Sequence, residues 1–419
     1  MKYETETCLI IDSGYACSIA EKLSEDFGKT YYITPTLNES PEHKHFAKGL
    51  GLGKIIKMDE MGNPIKFWDK VEEASLIITP EVGFGDIADY IRRHHPEKRV
   101  FGCGRADILE ENRLFLKQIQ EKVGLPVQPY LHAVGMKDLR AKLSKMKDCH
   151  VKPFIFRGDR ETFHFKSMKE SEDALDDMES TYGIGKHYQQ FLIEPGLDAL
   201  GETGCDLFLN GRDYIKPYHW GIERHAPYLG KWDDKLPEPL AQTMEAFKEI
   251  LIGYDYRGVV ATEELIISED EHYPLDLTVR FPMPMGVMWT ETITNFAEVI
   301  WKVAGGEEVE IIPAAKYVGC LPFESDYASD HWLRLLYNKK FKKNIKLLEG
   351  CTWDGKTYAV KGTAMCVVLI AWGKSPKEVI YQLEELSHEI EADDLVKDLT
   401  PLYKILEDFK TLEEVGIYF

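Results

Sequence analysis

Residues 273–284 read YPLDLTVRFPMP, and from Leu275 to Phe281 apolar and polar side chains alternate. That is the pattern of a strand with one face on a core and the other left open. Proline stands near both ends, and the open face carries Asp276, Thr278 and Arg280. Thirteen positions before Asp276, Glu263 sits in the apolar run GVVATEELII, and the polar segment SEDEHYP joins the two runs as a hairpin. Such a hairpin sets the two carboxylates side by side at one end of a sheet. A magnesium ion bound to a nucleotide is held by one or two carboxylates plus phosphate oxygens. Glu263, Asp276 and Thr278 are therefore candidate metal ligands, and Arg280 offers a planar fork for a phosphate or carboxylate. Glu264 is a weaker alternative to Glu263, because alternation turns it to the opposite face. An acid–arginine ladder on a solvated sheet face has the same sequence pattern.

Working outward, the chain has 419 residues, of which 44% are hydrophobic, enough for two to four domains. Lys and Arg number 51 against 71 Asp and Glu, a net charge of -20, with a pI near 5.2. That balance argues against general binding to nucleic acid or to anionic lipid. No apolar run approaches the roughly 18 residues of a membrane helix, and the start MKYETETCLIID lacks a signal-peptide layout. A cytoplasmic protein, monomeric or homodimeric, is expected. Its eight cysteines, at 8, 17, 103, 149, 205, 320, 351 and 366, show no C-x-x-C pair and read as reduced core thiols. EHKHF at 42–46 has two histidines at strand spacing, which fits a solvated loop better than a metal site.

The first hundred residues alternate strands (CLIID, TYYITP, ASLIITPE) with helices, among them ACSIAEKLSEDFG, closed by Gly28. This is a βαβ series, hence a parallel sheet with ligands at the strand C-termini. The loop after the first strand, Asp12-Ser13-Gly14-Tyr15-Ala16, lacks G-x-G-x-x-G and so argues against a dinucleotide-binding dehydrogenase. A long helix, DILEENRLFLKQIQEKVG, ends at Gly124. Then follow an α+β unit (HVKPFIFRGDRETFHF, SMKESEDALDDMEST, HYQQFLIEPG), a hairpin at CDLFLNGRDYIKPYHWG and a capped helix in LPEPLAQTMEAFKEILIGYDYRG. KYVGCLPF, TYAVKGTAMCVVLIAWG and SPKEVIYQLEELSHEI make a last α+β segment. Lys152, near the end of a strand and followed by the glycine-containing turn FRGDRETF, is a candidate phosphate clamp. Arg113 could supply a second cation. Each taken alone also reads as a solvated surface residue.

In order and spacing, IITPEVGFGDIADYIRRHHPEKRVFGCGRADILEENRLFLKQIQEKVGLPV, HVKPFIF, QQFLIEPG and GVVATEELIISEDEHYPLDLTVRFP resemble the ATP-grasp ligases. Among them the chain is most similar to phosphoribosylamine-glycine ligase, over nearly its whole length, YAVKGTAMCVVLIAWGKSPKEVIYQLEEL included. The resemblance implies an N-terminal parallel α/β domain (1–104), an ATP-grasp domain of two α+β subdomains (105–310, flap about 138–195) and a small C-terminal α+β domain (311–419). It implies ATP with magnesium or manganese, a small carboxylate and an amine as substrates, and ADP-forming C–N ligation. Arg113 and Lys152 then fall on the ATP phosphates, and the turn at Gly158 on the flap. Glu194 and Pro195 fall on the adenine hinge, and Asp206, or Glu202, on the ribose. Glu263, Asp276 and Thr278 fall on the metal, with Asp276 and Arg280 at the reacting centre. HWGIERHAPYLG, at 219–230, falls on the acceptor side.

Three departures concern the substrate. The family enzyme has Arg-Phe-Gly-Asp-Pro-Glu where this chain reads Arg280-Phe281-Pro282-Met283-Pro284-Met285. Its Gly-Gly-Arg-Glu-His loop is replaced by DSGYACS, and its glycine-rich flap by RGDRETFH. Asp276 and Thr278 also replace the usual Glu and Asn, with oxygen ligands kept. ATP chemistry with a different amine acceptor follows, and an ATP-grasp kinase, a carboxylase or a nucleotide-binding regulatory protein are the alternatives.

Overall fold

The computed structural model describes residues 2–33, 55–58, 64–154, 162–362 and 364–419. Gly158 and the EHKHF segment lie outside them. Among the described residues the strands form four sheets.

The first sheet holds β1 (Tyr3–Ile11), β2 (Phe27–Ile33), β3 (Ile55–Met58), β4 (Leu76–Thr79) and β5 (Arg99–Gly102), all parallel, in the order β3-β2-β1-β4-β5. Cys8 to Ile11 are fully buried, as a strand covered on both faces must be. Cys8 and Ile10 pack with α1 (Cys17–Leu23), while Leu9 and Ile11 pack with α2 (Pro64–Glu73) and α3 (Gly85–His94). Strand order reverses between β1 and β4, which opens a crevice beyond their C-terminal ends.

Two boundaries differ from the expectation. The first helix stops at Leu23, and Gly28 lies inside β2. It sits so close to β1 that a Cβ there would come 2.0 Å from the Glu4 carbonyl oxygen. The helix at 107–124 is also two pieces, α4 (Ile108–Glu111) and α5 (Arg113–Lys122). Asn112 breaks it by leaving helical geometry (φ -116°, ψ 89°) and accepting at its side chain from the Phe115 N–H. The sequence here resembles one continuous amphipathic helix because the cap falls in phase with both apolar stripes.

A second sheet, in the order β6-β9-β7-β8, comprises β6 (Leu131–Val134), β7 (Cys149–Pro153), β8 (Phe163–Phe165) and β9 (Gln190–Pro195). It packs on α6 (Gly135–Leu143) and α7 (Met168–Tyr182) around a small core of its own. The largest sheet runs β14-β13-β10-β11-β12-β15-β20-β17. Its strands are β10 (Gly201–Leu209), β11 (Tyr218–Glu223), β12 (Tyr228–Asp233), β13 (Gly258–Ile266), β14 (His272–Thr278), β15 (Tyr317–Glu324), β17 (Ile345–Leu347) and β20 (Met365–Gly373). Strands from the last hundred residues thus continue the sheet that carries the opening hairpin. β16 (Leu333–Tyr337), β18 (Gly350–Trp353), β19 (Lys356–Ala359) and β21 (Ile390–Glu391) form the fourth sheet. All eight cysteines are buried and unbridged. Among the described residues no helix is long and apolar enough to cross a membrane.

Candidate active site

β13 and β14 form one edge of the large sheet, and their pairing is interrupted where the carboxylates meet. Thr262 faces Leu277 and Glu264 faces Pro274, so β14 has one extra residue opposite Glu263. Such a bulge re-aims side chains. Thr262 Oγ1 donates to the Asp276 carbonyl across 2.9 Å and ties the bulge in place. Beyond it the alternation holds. Leu277, Val279 and Phe281 are buried, and Asp276, Thr278 and Arg280 line a cavity of about 240 Å³. Glu263 lines it from the neighbouring strand, while Glu264 turns away and meets His272 Nδ1 at 3.0 Å.

The other walls come from β10 and the β11–β12 hairpin. Glu202 and Asp206 enter from β10, and Glu223 and Tyr228 from the hairpin. Glu263 is half-buried because it faces the cavity, yet burial first, then Glu202, Asp276 and Asp206, push its carboxyl up to about 7. Burial and Glu263 raise Glu223 well above the carboxylate range. Asp206, also raised by burial, is opposed by His219, whose Nδ1 lies 3.3 Å from its carboxylate and 3.5 Å from the Tyr228 hydroxyl. Lys152, Arg280 and His219 offset this crowding of carboxylates only in part, since burial and mutual repulsion still raise Glu263 and Glu223.

Cations gather beside Asp276. Burial opposes the charge of Lys152, but Asp276 and Glu194 outweigh it and raise the ammonium's pKa. Glu194, at the end of β9, is almost fully buried and bridges two lysines: Lys117 Nζ at 2.8 Å and Lys152 Nζ at 3.0 Å. Burial would raise the Glu194 carboxyl, yet Lys152 and Lys117 hold it below the ordinary range. Arg113 Nη1 donates to the Pro153 carbonyl at 2.8 Å and lines a smaller cleft with Asp276, Thr278 and Arg280. Arg280 Nε donates to Glu110 at 2.8 Å, and Glu110 also accepts from the Val279 N–H. The Pro195 carbonyl accepts from Gln128 Nε2.

The structure therefore brings Arg113, Lys152, Glu194, Asp206, Glu263, Asp276, Thr278 and Arg280 around one cleft, with Pro195 next to Glu194. Lys117 and Glu110 join them without having been singled out in the sequence, while Glu223 and Tyr228 come from the HWGIERHAPYLG stretch expected on the acceptor side. Lys117 had a signal, since it lies four residues after Arg113 and so on the same helical face. Glu110 had none, because its position depends on the break at Asn112. Glu223 and Tyr228 reach the site only through the pairing of β10 with β11.

Solved structures share this arrangement of elements. Phosphoribosylamine–glycine ligase from Thermotoga maritima superposes with a TM-score of 0.67 at 14% identity, over 93% of this chain and 98% of that one. The chain has the ATP-grasp fold. The ADP complex of N5-carboxyaminoimidazole synthetase from Staphylococcus aureus matches it at TM-score 0.64 and 13% identity, over 93% and 97% of the two chains. The biotin carboxylase domain dimer of Hydrogenobacter thermophilus 2-oxoglutarate carboxylase, in complex with MgADP, ADP and bicarbonate, does so at 0.66 and 13%, over 99% and 96%. No protein-family model and no curated protein sequence matches the chain. In this fold the cleft lies where the second sheet meets the edge of the large one.

Proposed function

We propose that the protein is an ATP-dependent carboxylate–amine ligase, which activates a small carboxylate, an amino acid in the first instance, and joins it to an amine. One observation carries the reading. Asp276 stands between a wall of cations (Lys117, Lys152, Arg113) and a wall of acids (Glu263, Glu202, Glu223). A metal triphosphate is the ligand that satisfies both walls at once, its phosphates meeting the cations and its metal the acids.

The residues fit magnesium. Among the described residues no group of three or more His, Cys, Asp and Glu side chains could hold a metal alone. Glu263, Asp276 and Thr278 thus supply part of a shell, as magnesium sites do when phosphate oxygens complete it. When bound, the ion neutralises charge on the phosphates and orients the terminal one. Lys117, Lys152 and Arg113 spread the remaining phosphate charge, and the Glu194–Pro195 backbone lies at the adenine edge. Asp206 or Glu202 is the ribose acid. Arg280, its guanidinium steadied by Glu110, orients the substrate carboxylate. One carboxylate oxygen attacks the terminal phosphorus and ADP leaves. The amine then attacks the acyl carbon and releases phosphate, so that a C–N bond replaces the C–O bond of the acyl phosphate. Residues 1–104, 105–310 and 311–419 are taken as its three domains.

Calorimetry should find ATP bound much more tightly with magnesium than with EDTA. Asp276→Asn should lower ADP release by orders of magnitude while changing nucleotide affinity far less. Amino acids and bicarbonate are to be screened against mixed amines, with product mass recorded. Absence of ADP release with every pair would refute the ligase reading, and turnover with bicarbonate alone would assign a carboxylase instead.

A further inference from the structure

A second group of carboxylates lies outside the cleft, at the point where the parallel sheet reverses order. Asp12 follows β1, and Glu81 lies two residues beyond the end of β4. These are the two strands between which a ligand crevice opens in such sheets. Glu349 comes from the distant segment between β17 and β18. It is brought in by Ser18 of α1, whose hydroxyl donates to the Leu347 carbonyl at 2.7 Å and accepts from the Leu347 N–H at 3.2 Å.

Asp12 lies between the other two carboxyls, hydrogen-bonded to Glu81 and acting on Glu349, and among the described residues no cation pairs with them. Asp12 is 1% exposed; its Oδ2 accepts from the N–H groups of Gly14 and Ala16 and from the Tyr32 hydroxyl. The Ser13 N–H donates to Glu81, whose carboxyl also hydrogen-bonds that of Asp12. Glu349 is 4% exposed, and its Oε2 is buried with no hydrogen-bond partner. Gly362 leaves room for that oxygen, since a Cβ there would come within 2.5 Å of it. Burial, then Asp12, raises Glu81 and Glu349 each to about 8. Among the described residues no Lys, Arg or His forms an ion pair with any of the three, and no group of acids there is set to hold a metal ion.

A buried acid with an idle oxygen next to the Asp12–Glu81 pair calls for a ligand that is positive and rich in donors. A primary ammonium group has three N–H donors and one charge, one donor for each carboxyl. The site also adjoins the cleft: the Phe281 N–H donates to the Pro80 carbonyl at 3.0 Å, which ties the residue before Glu81 to the residue before Pro282 and Met283 of the cavity wall.

We propose that Asp12, Glu81 and Glu349 form a subsite for an organic cation bearing a primary ammonium group. On the ligase reading above, on which this assignment of role rests, it anchors the cationic end of the amine acceptor.

The test is calorimetric titration of the full chain, without nucleotide, with methylamine, ethanolamine and 1,4-diaminobutane, and with tetramethylammonium and calcium chloride as controls. At least one primary amine should bind, and tetramethylammonium, which has no N–H donor, should not. Glu349→Gln and Glu81→Gln should each weaken the amine at least tenfold and leave MgATP affinity unchanged. Glu81 is only half-buried, so its variant keeps the test readable if substitution at Glu349 disturbs folding. No binding by any primary amine, equal affinity in both variants, or calcium displacing the amine would overturn the proposal. Amine binding that persists in a protein that binds no MgATP would refute the ligase reading and leave the subsite standing.

Discussion

Glu194→Gln tests the charge arrangement on which the nucleotide reading depends. The carboxylate sits between two ammonium groups at 2.8 and 3.0 Å, and the lysine side chains are 3% and 11% exposed. Removing one member of a buried pair leaves a charge uncompensated and costs about 3–5 kcal/mol. Lys152 keeps Asp276 as a neighbour, so the loss falls mainly on Lys117. The variant should therefore unfold in urea with a deficit of about 3–5 kcal/mol. That deficit has a pH sign. Glu194 is held below its ordinary value of 4.5, so its contribution is fully present above that pH and is lost as the pH falls further. Saturating MgATP should narrow the gap, because phosphate oxygens replace the missing charge beside both lysines. Intrinsic fluorescence in urea, with and without MgATP, measures both effects. A deficit below about 1 kcal/mol, the range of exposed pairs, would mean that the pair is not buried. A deficit that MgATP leaves unchanged would mean that the lysines do not face the phosphates.

Other expectations are more local. Asn112→Ala removes the cap on α5 and should cost about 1 kcal/mol in urea unfolding. It should also weaken MgATP binding, since that cap sets the direction of Arg113 and Lys117. Gly28→Ala forces a Cβ against the Glu4 carbonyl and should cost about 1–3 kcal/mol or more, read as a lowered melting temperature. The ligand-free protein should lose stability as pH rises from about 4.5 to about 8. The unfolded chain ionises its carboxyls there while Glu349 stays protonated in the fold, so a melting series on Glu349→Gln should show a shallower fall.

Much of this molecule is legible in one dimension. The parallel sheet follows from short apolar runs spaced by helices, because a strand buried on both faces has few polar positions. Asp276, Thr278 and Arg280 could be placed on one face because side chains alternate along a strand whatever its partners. Glu263 could be set against Asp276 because a hairpin is a local structure. Tertiary structure decided the rest, where the determinant was a contact between distant residues or a change in backbone direction. The bulge that turns Asp276 toward Glu263 depends on the register of two strands. The break at Asn112, which places Glu110 on Arg280, is hidden because an Asn between apolar stripes is compatible with helix and cap alike. Glu194 reads as a hinge residue in sequence and becomes a charged bridge only when α5 and β7 pack against β9. The encounter of Glu349 with Asp12, across more than three hundred residues, depends on β17 docking against α1, and no local pattern encodes the closure of so long a loop.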